Sequence, residues 1–136
     1  MKRIVALVAV FAIAASAVAF AGPEAAKGAK AAAHSHVSAA KTGTWTGEIL
    51  DAGCYLAKGA MGAGHAECAL KCASNGMPLM LMSKDGKAIL LTPNHDNPDA
   101  YEALKGMAGS VATVTGTLSE RGGVRGIDVT SAQAAK

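Results

Sequence analysis

Three cysteines and a histidine follow one another over a short stretch of the chain: Cys54, His65, Cys68 and Cys72. Thiolate sulfur and imidazole nitrogen are the ligands that zinc and monovalent copper prefer. Three thiols can also form one disulfide and leave one thiol over. The four residues are therefore a candidate metal site, and the cysteines alone are a candidate disulfide.

A helix predicted over residues 66–74, ending at Asn75-Gly76, carries two of the cysteines. Cys68 and Cys72 lie one turn apart on one face of this helix. If the helix continued back to His65, that residue would lie roughly 10.5 Å from Cys72 along the axis, too far for both to bind one metal. His65 can therefore join the site only if residues 62–65 form a loop. Three thiolates and one imidazole would complete tetrahedral zinc, whereas an open site would suit monovalent copper.

The disulfide alternative has a preferred pairing. Cys68 and Cys72 are poorly oriented to bridge each other because they project in parallel from one helix. Cys54 follows the first predicted strand, and Cys72 comes shortly before the strand expected to pair with it. We therefore predict a disulfide between Cys54 and Cys72, with Cys68 reduced or metal-bound. The metal and disulfide alternatives both stay open.

The N-terminus has the pattern of an export signal. Lys2 and Arg3 precede an apolar run over residues 4–18, and Ala19-Phe20-Ala21 is a small-x-small cleavage site before Gly22. Residues 1–21 are thus predicted to be a signal peptide, which makes the mature protein periplasmic or secreted, without stable membrane insertion. Such compartments are oxidising and favour disulfides.

The rest of the chain divides by composition. Residues 22–41 are rich in Ala and Lys and predict a flexible linker that contains His34 and His36. Residues 42–131 have the apolar alternation and turn signals of one small domain, and residues 132–136 predict a disordered tail. His95 falls in a loop of the domain. The sequence assigns no role to these three histidines.

The element order predicts the fold. The sequence indicates a strand over 44–51, the helix over 66–74, a hairpin of 77–82 and 88–92, and strands over 111–118 and 124–129. Between the hairpin and the last two strands it predicts a second helix, with Asn97 as its N-cap and Pro98 at its first position, that ends before Gly109. A mainly β protein with two short helices in this order matches a five-stranded Greek-key barrel of the OB type. An open α+β sheet is the alternative.

Three strings carry a resemblance to a known group: residues 46–54 with Asp51-x-x-Cys54, His65-x-x-Cys68-x-x-x-Cys72, and residues 114–118. This D-x-x-C and H-x-x-C-x-x-x-C pattern resembles a group of small exported bacterial proteins of unknown function with an OB-like barrel. The resemblance implies the fold and the exported location. It implies no activity.

Several function classes are disfavoured. After the signal, Trp45, Tyr55 and Tyr101 are the only aromatic residues on a nearly neutral domain, which argues against nucleic-acid binding. The chain has no Cys-x-x-Cys, no phosphate-binding loop and no recognisable catalytic set, so no enzyme is predicted. The sequence therefore predicts an exported binding module for an unknown ligand or protein partner, with a possible zinc or copper site. A disulfide-stabilised module without metal and a thiol redox protein are the alternatives.

Overall fold

A computed structural model describes residues 38–136. The predicted signal peptide and most of the predicted linker, including His34 and His36, lie outside this range. The described elements follow in the order β1 (Ser38–Asp51), α1 (Ala52–Lys58), a 3₁₀ turn (Ala63–His65), α2 (Ala66–Ser74), β2 (Leu79–Ser83), β3 (Ala88–Pro93), α3 (Asp99–Lys105), β4 (Val111–Arg121) and β5 (Val124–Ala134).

The five strands form a closed barrel in the order β1-β2-β3-β5-β4. The strand β1 pairs antiparallel with both β2 and β4, and the pair β3 and β5 is parallel. The helix α3 lies between β3 and β4 in sequence. This order confirms the predicted OB-like barrel, rather than the alternative of an open sheet.

Alternation along the strands separates a core from an outer face. Ile49, Leu81, Ile89 and Val114 are fully buried or nearly so and belong to one apolar core. Ala69 and Ala73 of α2 and Leu104 of α3 join the same core, so both helices are packed against the barrel. Small alanines on α2 let its axis approach the strands closely.

The segment after α3 fixes where α2 begins. The backbone N–H of Gly109 donates to the carbonyl oxygen of Ile49 at 2.7 Å. Gly109 has a φ of 79°, and a Cβ atom there would lie 2.7 Å from the Cβ of Ala66 and closer still to its Cα. Glycine is needed because any side chain would collide with the first residue of α2. This contact ties the start of α2 to the barrel.

Several local features differ from the sequence predictions. The strand β1 begins at Ser38, within the predicted linker, and β5 runs to Ala134, within the predicted tail. The helix α1 was not predicted. Pro98, not Asn97, occupies the N-cap of α3, because the Asn97 side-chain amide donates instead to the carbonyl oxygen of Thr130 at 2.9 Å. The limits of α2 agree with the prediction. In residues 38–136, no helix is long and apolar enough to cross a membrane.

Candidate metal centre in the β1–β2 connection

All four predicted site residues lie in the connection between β1 and β2. Cys54 is on α1, His65 ends the 3₁₀ turn, and Cys68 and Cys72 are on α2. The sequence predicted one helix, over residues 66–74, in this connection, whereas the structure has two helices and a 3₁₀ turn there. The candidate site thus lies on one connection between two neighbouring strands of the barrel.

Asp51 is the residue from which this connection starts. It is the last residue of β1 and the N-cap of α1, where its Oδ1 accepts a hydrogen bond from the backbone N–H of Cys54 at 2.8 Å. An aspartate at this position satisfies one of the backbone donors at the start of a helix. The cap therefore sets where Cys54 leaves the barrel.

The second carboxylate oxygen of Asp51 contacts His65. The distance between Asp51 Oδ2 and His65 Nε2 is 2.9 Å, and the Asp51 side chain is fully buried while that of His65 is 18% exposed. Burial alone would raise the pKa of Asp51, but hydrogen bonds from the Cys54 backbone and the His65 ring outweigh it, and the pKa of Asp51 is lowered. The carboxylate is therefore ionised and acts as an acceptor on both oxygens.

The loop before His65 is tied to β1. The backbone N–H of Gly62 donates to the Glu48 carboxylate, and the carbonyl oxygen of Gly62 accepts from the backbone N–H of His65 at 2.9 Å. The α-helix α2 begins only at Ala66. Residues 63–65 form a 3₁₀ turn rather than the loop that the sequence required, but the α-helix does not continue back to His65, so the geometric objection to His65 does not apply.

The potential ligand atoms form two groups that overlap at Cys54. In one group, Cys54, His65 and Cys68 bring their ligand atoms within 4.8 Å of one another, and in the other Asp51, Cys54 and Cys72 do the same. Neither group contains both His65 and Cys72, as their separation on the chain suggested. Cys54 is therefore close to each of the other predicted ligands, and Cys72 is grouped with Asp51 rather than with His65.

The three cysteines, all within the described residues, are free thiols. The predicted disulfide between Cys54 and Cys72 is not formed, although their sulfur atoms fall within the same 4.8 Å group. A disulfide needs an S–S distance of about 2.05 Å, so oxidation would have to draw these sulfur atoms together.

The thiols of the cluster differ in exposure and in pKa. Cys68 is exposed, whereas Cys54 and Cys72 are half-buried. Burial, then the charge of Asp51 and the neighbouring thiol of Cys68, raise the pKa of Cys54 to about 11. Burial and Cys68 raise the pKa of Cys72 as well. The half-buried thiols are therefore neutral at physiological pH until a cation or an oxidant removes their protons.

Asp51 is the member of the cluster that the sequence did not identify as a site residue. Its place three residues before Cys54 is the signal of a helix cap, but the sequence interpretation extended the strand through it and had no helix to cap. His95, in contrast, is exposed in the loop between β3 and α3 and belongs to neither group of potential ligands.

No protein-family model, curated protein or solved structure matches this chain. The resemblance to small exported proteins therefore stays a prediction. The cluster itself offers three soft sulfur donors, one imidazole and a buried carboxylate that holds the imidazole.

Proposed function

We propose that this protein is an exported binding module that holds a soft metal ion, zinc or monovalent copper, with Cys54, His65, Cys68 and Cys72. The observation that carries the proposal is the overlap of the two groups of potential ligands at Cys54. Sulfur and imidazole donors collected in this way are the donor set of zinc and copper proteins. Cys54, His65 and Cys68 form the first three ligands, and Cys72, whose sulfur atom lies within 4.8 Å of that of Cys54, supplies the fourth.

The electrostatics of the cluster agree with a cation ligand. The thiols of Cys54 and Cys72 are kept protonated by burial and by the negative charge of Asp51. A bound cation would lower the pKa of both thiols, because it stabilises their thiolate forms and offsets the negative charge of Asp51. Because Cys68 is exposed, an ion can reach the cluster from solvent through this side chain.

The disulfide alternative uses the same atoms. The sulfur atoms of Cys54 and Cys72 are close enough that a modest movement would bring them to bonding distance. Oxidation would remove two of the proposed ligands, so the metal-bound and disulfide forms exclude each other. A thiol redox function would have to use Cys68 beside His65, since a pKa of about 11 leaves Cys54 without the thiolate that such chemistry needs.

Metal titration of reduced protein under anaerobic conditions tests the proposal. Zinc and monovalent copper affinities are measured by competition with chromophoric chelators, and cobalt substitution reports the number of thiolates through sulfur-to-metal charge-transfer bands. Cys54→Ser should lose the most affinity because Cys54 belongs to both groups, and His65→Ala should weaken zinc binding. His95→Ala is the matched control, since it removes an exposed imidazole outside the cluster and should bind like the parent.

Two results would contradict the metal proposal. One is the absence of zinc and copper binding at micromolar concentrations by the reduced parent. The other is a Cys54→Ser variant that binds both metals as tightly as the parent. Native mass spectrometry of the protein from the cell envelope adds an independent reading. A metal-free chain starting at Gly22 with a Cys54–Cys72 linkage would favour the disulfide-stabilised module.

A further inference from the structure

The buried carboxylate of Asp51 makes two different hydrogen bonds. Oδ1 caps α1 through the backbone N–H of Cys54 at 2.8 Å, and Oδ2 lies 2.9 Å from Nε2 of His65. Helix capping accounts for the first bond only. The second joins β1 to a residue 14 positions further along the chain, so it needs a separate explanation.

The chemistry of the pair determines which nitrogen of His65 is free. An ionised carboxylate has no proton to donate, so Nε2 of His65 must carry the hydrogen of this bond. In a neutral imidazole, the lone pair is then on Nδ1. We infer that Asp51 is a positioning residue that holds His65 as the Nε2–H tautomer, makes Nδ1 its metal ligand, and thereby favours zinc over monovalent copper.

This inference rests on the proposed function and names the metal of that site. Zinc in protein sites is almost always four-coordinate and accepts sulfur and imidazole together, so His65 supplies a ligand that zinc needs. Monovalent copper is softer and is selected by thiolates, which Cys54, Cys68 and Cys72 provide without the imidazole. A residue that controls His65 therefore acts on zinc more than on copper. Zinc-bound histidines commonly donate their other ring N–H to such a carboxylate.

Asp51→Asn separates the two roles of Asp51. An asparagine caps a helix about as well as an aspartate, so its oxygen can keep the bond to the Cys54 backbone. Its NH₂ group then faces Nε2 of His65, where two donors would oppose each other. The imidazole resolves this conflict by accepting at Nε2 and moving its proton to Nδ1, which removes the ligand lone pair. The cap survives while the tautomer changes.

Two measurements follow the tautomer and its consequence. In reduced, metal-free protein, ¹H–¹⁵N NMR of the His65 ring should report Nε2–H in the parent and Nδ1–H in Asp51→Asn. In titrations, Asp51→Asn should lower zinc affinity by roughly 10- to 100-fold, the usual effect of losing such a partner, and leave the affinity for monovalent copper close to that of the parent. Glu67→Gln is the control, because it removes an exposed negative charge from α2, next to Cys68 in sequence, and leaves Asp51 and Glu48 intact. It should retain both affinities.

The inference fails if the parent holds His65 as the Nδ1–H tautomer, a result that needs no metal and does not depend on the proposed function. It also fails if Asp51→Asn weakens zinc and copper binding equally, or if Glu67→Gln reproduces the loss of zinc binding. A parent that binds neither metal overturns the proposed function and this inference together. A parent that prefers copper and is indifferent to Asp51→Asn keeps the metal site but refutes the role of Asp51.

Discussion

Replacing Gly109 by alanine should test whether the start of α2 is fixed by its contact with the segment after α3. Gly109 has a φ of 79°, a conformation that costs an L-residue about 1–2 kcal/mol. The new Cβ would also lie 2.7 Å from Ala66 Cβ and 3.3 Å from the Ala66 backbone nitrogen. Forcing an atom into such a packed site typically costs about 1–3 kcal/mol. We therefore expect Gly109→Ala to lower the free energy of unfolding by about 2–5 kcal/mol.

Gly86→Ala is the matched control for this substitution. Gly86 has a φ of 74° in the turn between β2 and β3, and nothing lies within 4 Å of a Cβ built there. Gly86→Ala should lower the free energy of unfolding only by the cost of the positive φ angle, about 1–2 kcal/mol. The difference between the two variants isolates the collision with Ala66.

Urea unfolding of the reduced, metal-free protein measures both variants. Trp45 is the single tryptophan and packs against the core, so its fluorescence reports the folded barrel. A free energy of unfolding that falls equally in Gly109→Ala and Gly86→Ala, together with parent-like zinc binding in both, would refute the reasoning. If the start of α2 moves to relieve the collision, the barrel keeps its stability, and Gly109→Ala should instead weaken zinc binding, because Ala66 follows His65 directly.

Two further predictions concern the pKa shifts. At pH 8, iodoacetamide should modify the exposed Cys68 first and Cys54 last, because a pKa of about 11 leaves about one Cys54 thiol in a thousand ionised. Peptide mass spectrometry measures the modification rate of each cysteine. Equal rates would contradict the pKa difference. Hydrogen bonds from Ser83 and Lys87 lower the pKa of Asp85 from 3.8 to about 2. The ionised Asp85 therefore stabilises the fold above pH 4, and this contribution is lost as the pH falls towards 2. When the free energy of unfolding is measured against pH, Asp85→Asn should lose less stability between pH 4 and 2 than the parent does.

Local signals explain which elements the sequence could predict. Asn75-Gly76 ends α2, and Asp85-Gly86 supplies the turn between β2 and β3, so both were placed correctly. The helix α1 was missed because it is only seven residues long and carries Gly53 in its first turn, which lowers its helix propensity. Its stability comes from the Asp51 cap and from Gly59, which ends it in the left-handed conformation.

The candidate site was predictable by residue type but not by arrangement. Cysteine and histidine are recognisable as soft ligands at any position, so the four predicted residues were identified before their geometry was known. The contact between Asp51 and His65 spans 14 residues and depends on the path of the loop through Gly62, whose backbone N–H donates to Glu48. No periodicity or spacing encodes such a contact. The division of the ligands into two groups at Cys54 depends on the same fold.

Strand pairing explains why the cysteines meet whatever their chemistry. Asp51 pairs with Leu79, the backbone N–H of Ala52 donates to the Pro78 carbonyl oxygen at 2.8 Å, and that of Met77 to the Cys72 carbonyl oxygen at 3.0 Å. The two ends of the β1–β2 connection are thereby joined at the barrel rim.

Cys54 follows one end of this connection and Cys72 precedes the other, so the barrel alone brings them together, and their proximity is equally compatible with a metal site and with a disulfide. His65 is different. Its position depends on the bond from Gly62 to Glu48 and on the contact with Oδ2 of Asp51, neither of which a disulfide between Cys54 and Cys72 would require. Binding of a metal ion by the His65 imidazole is for this reason the observation that best separates the two functions.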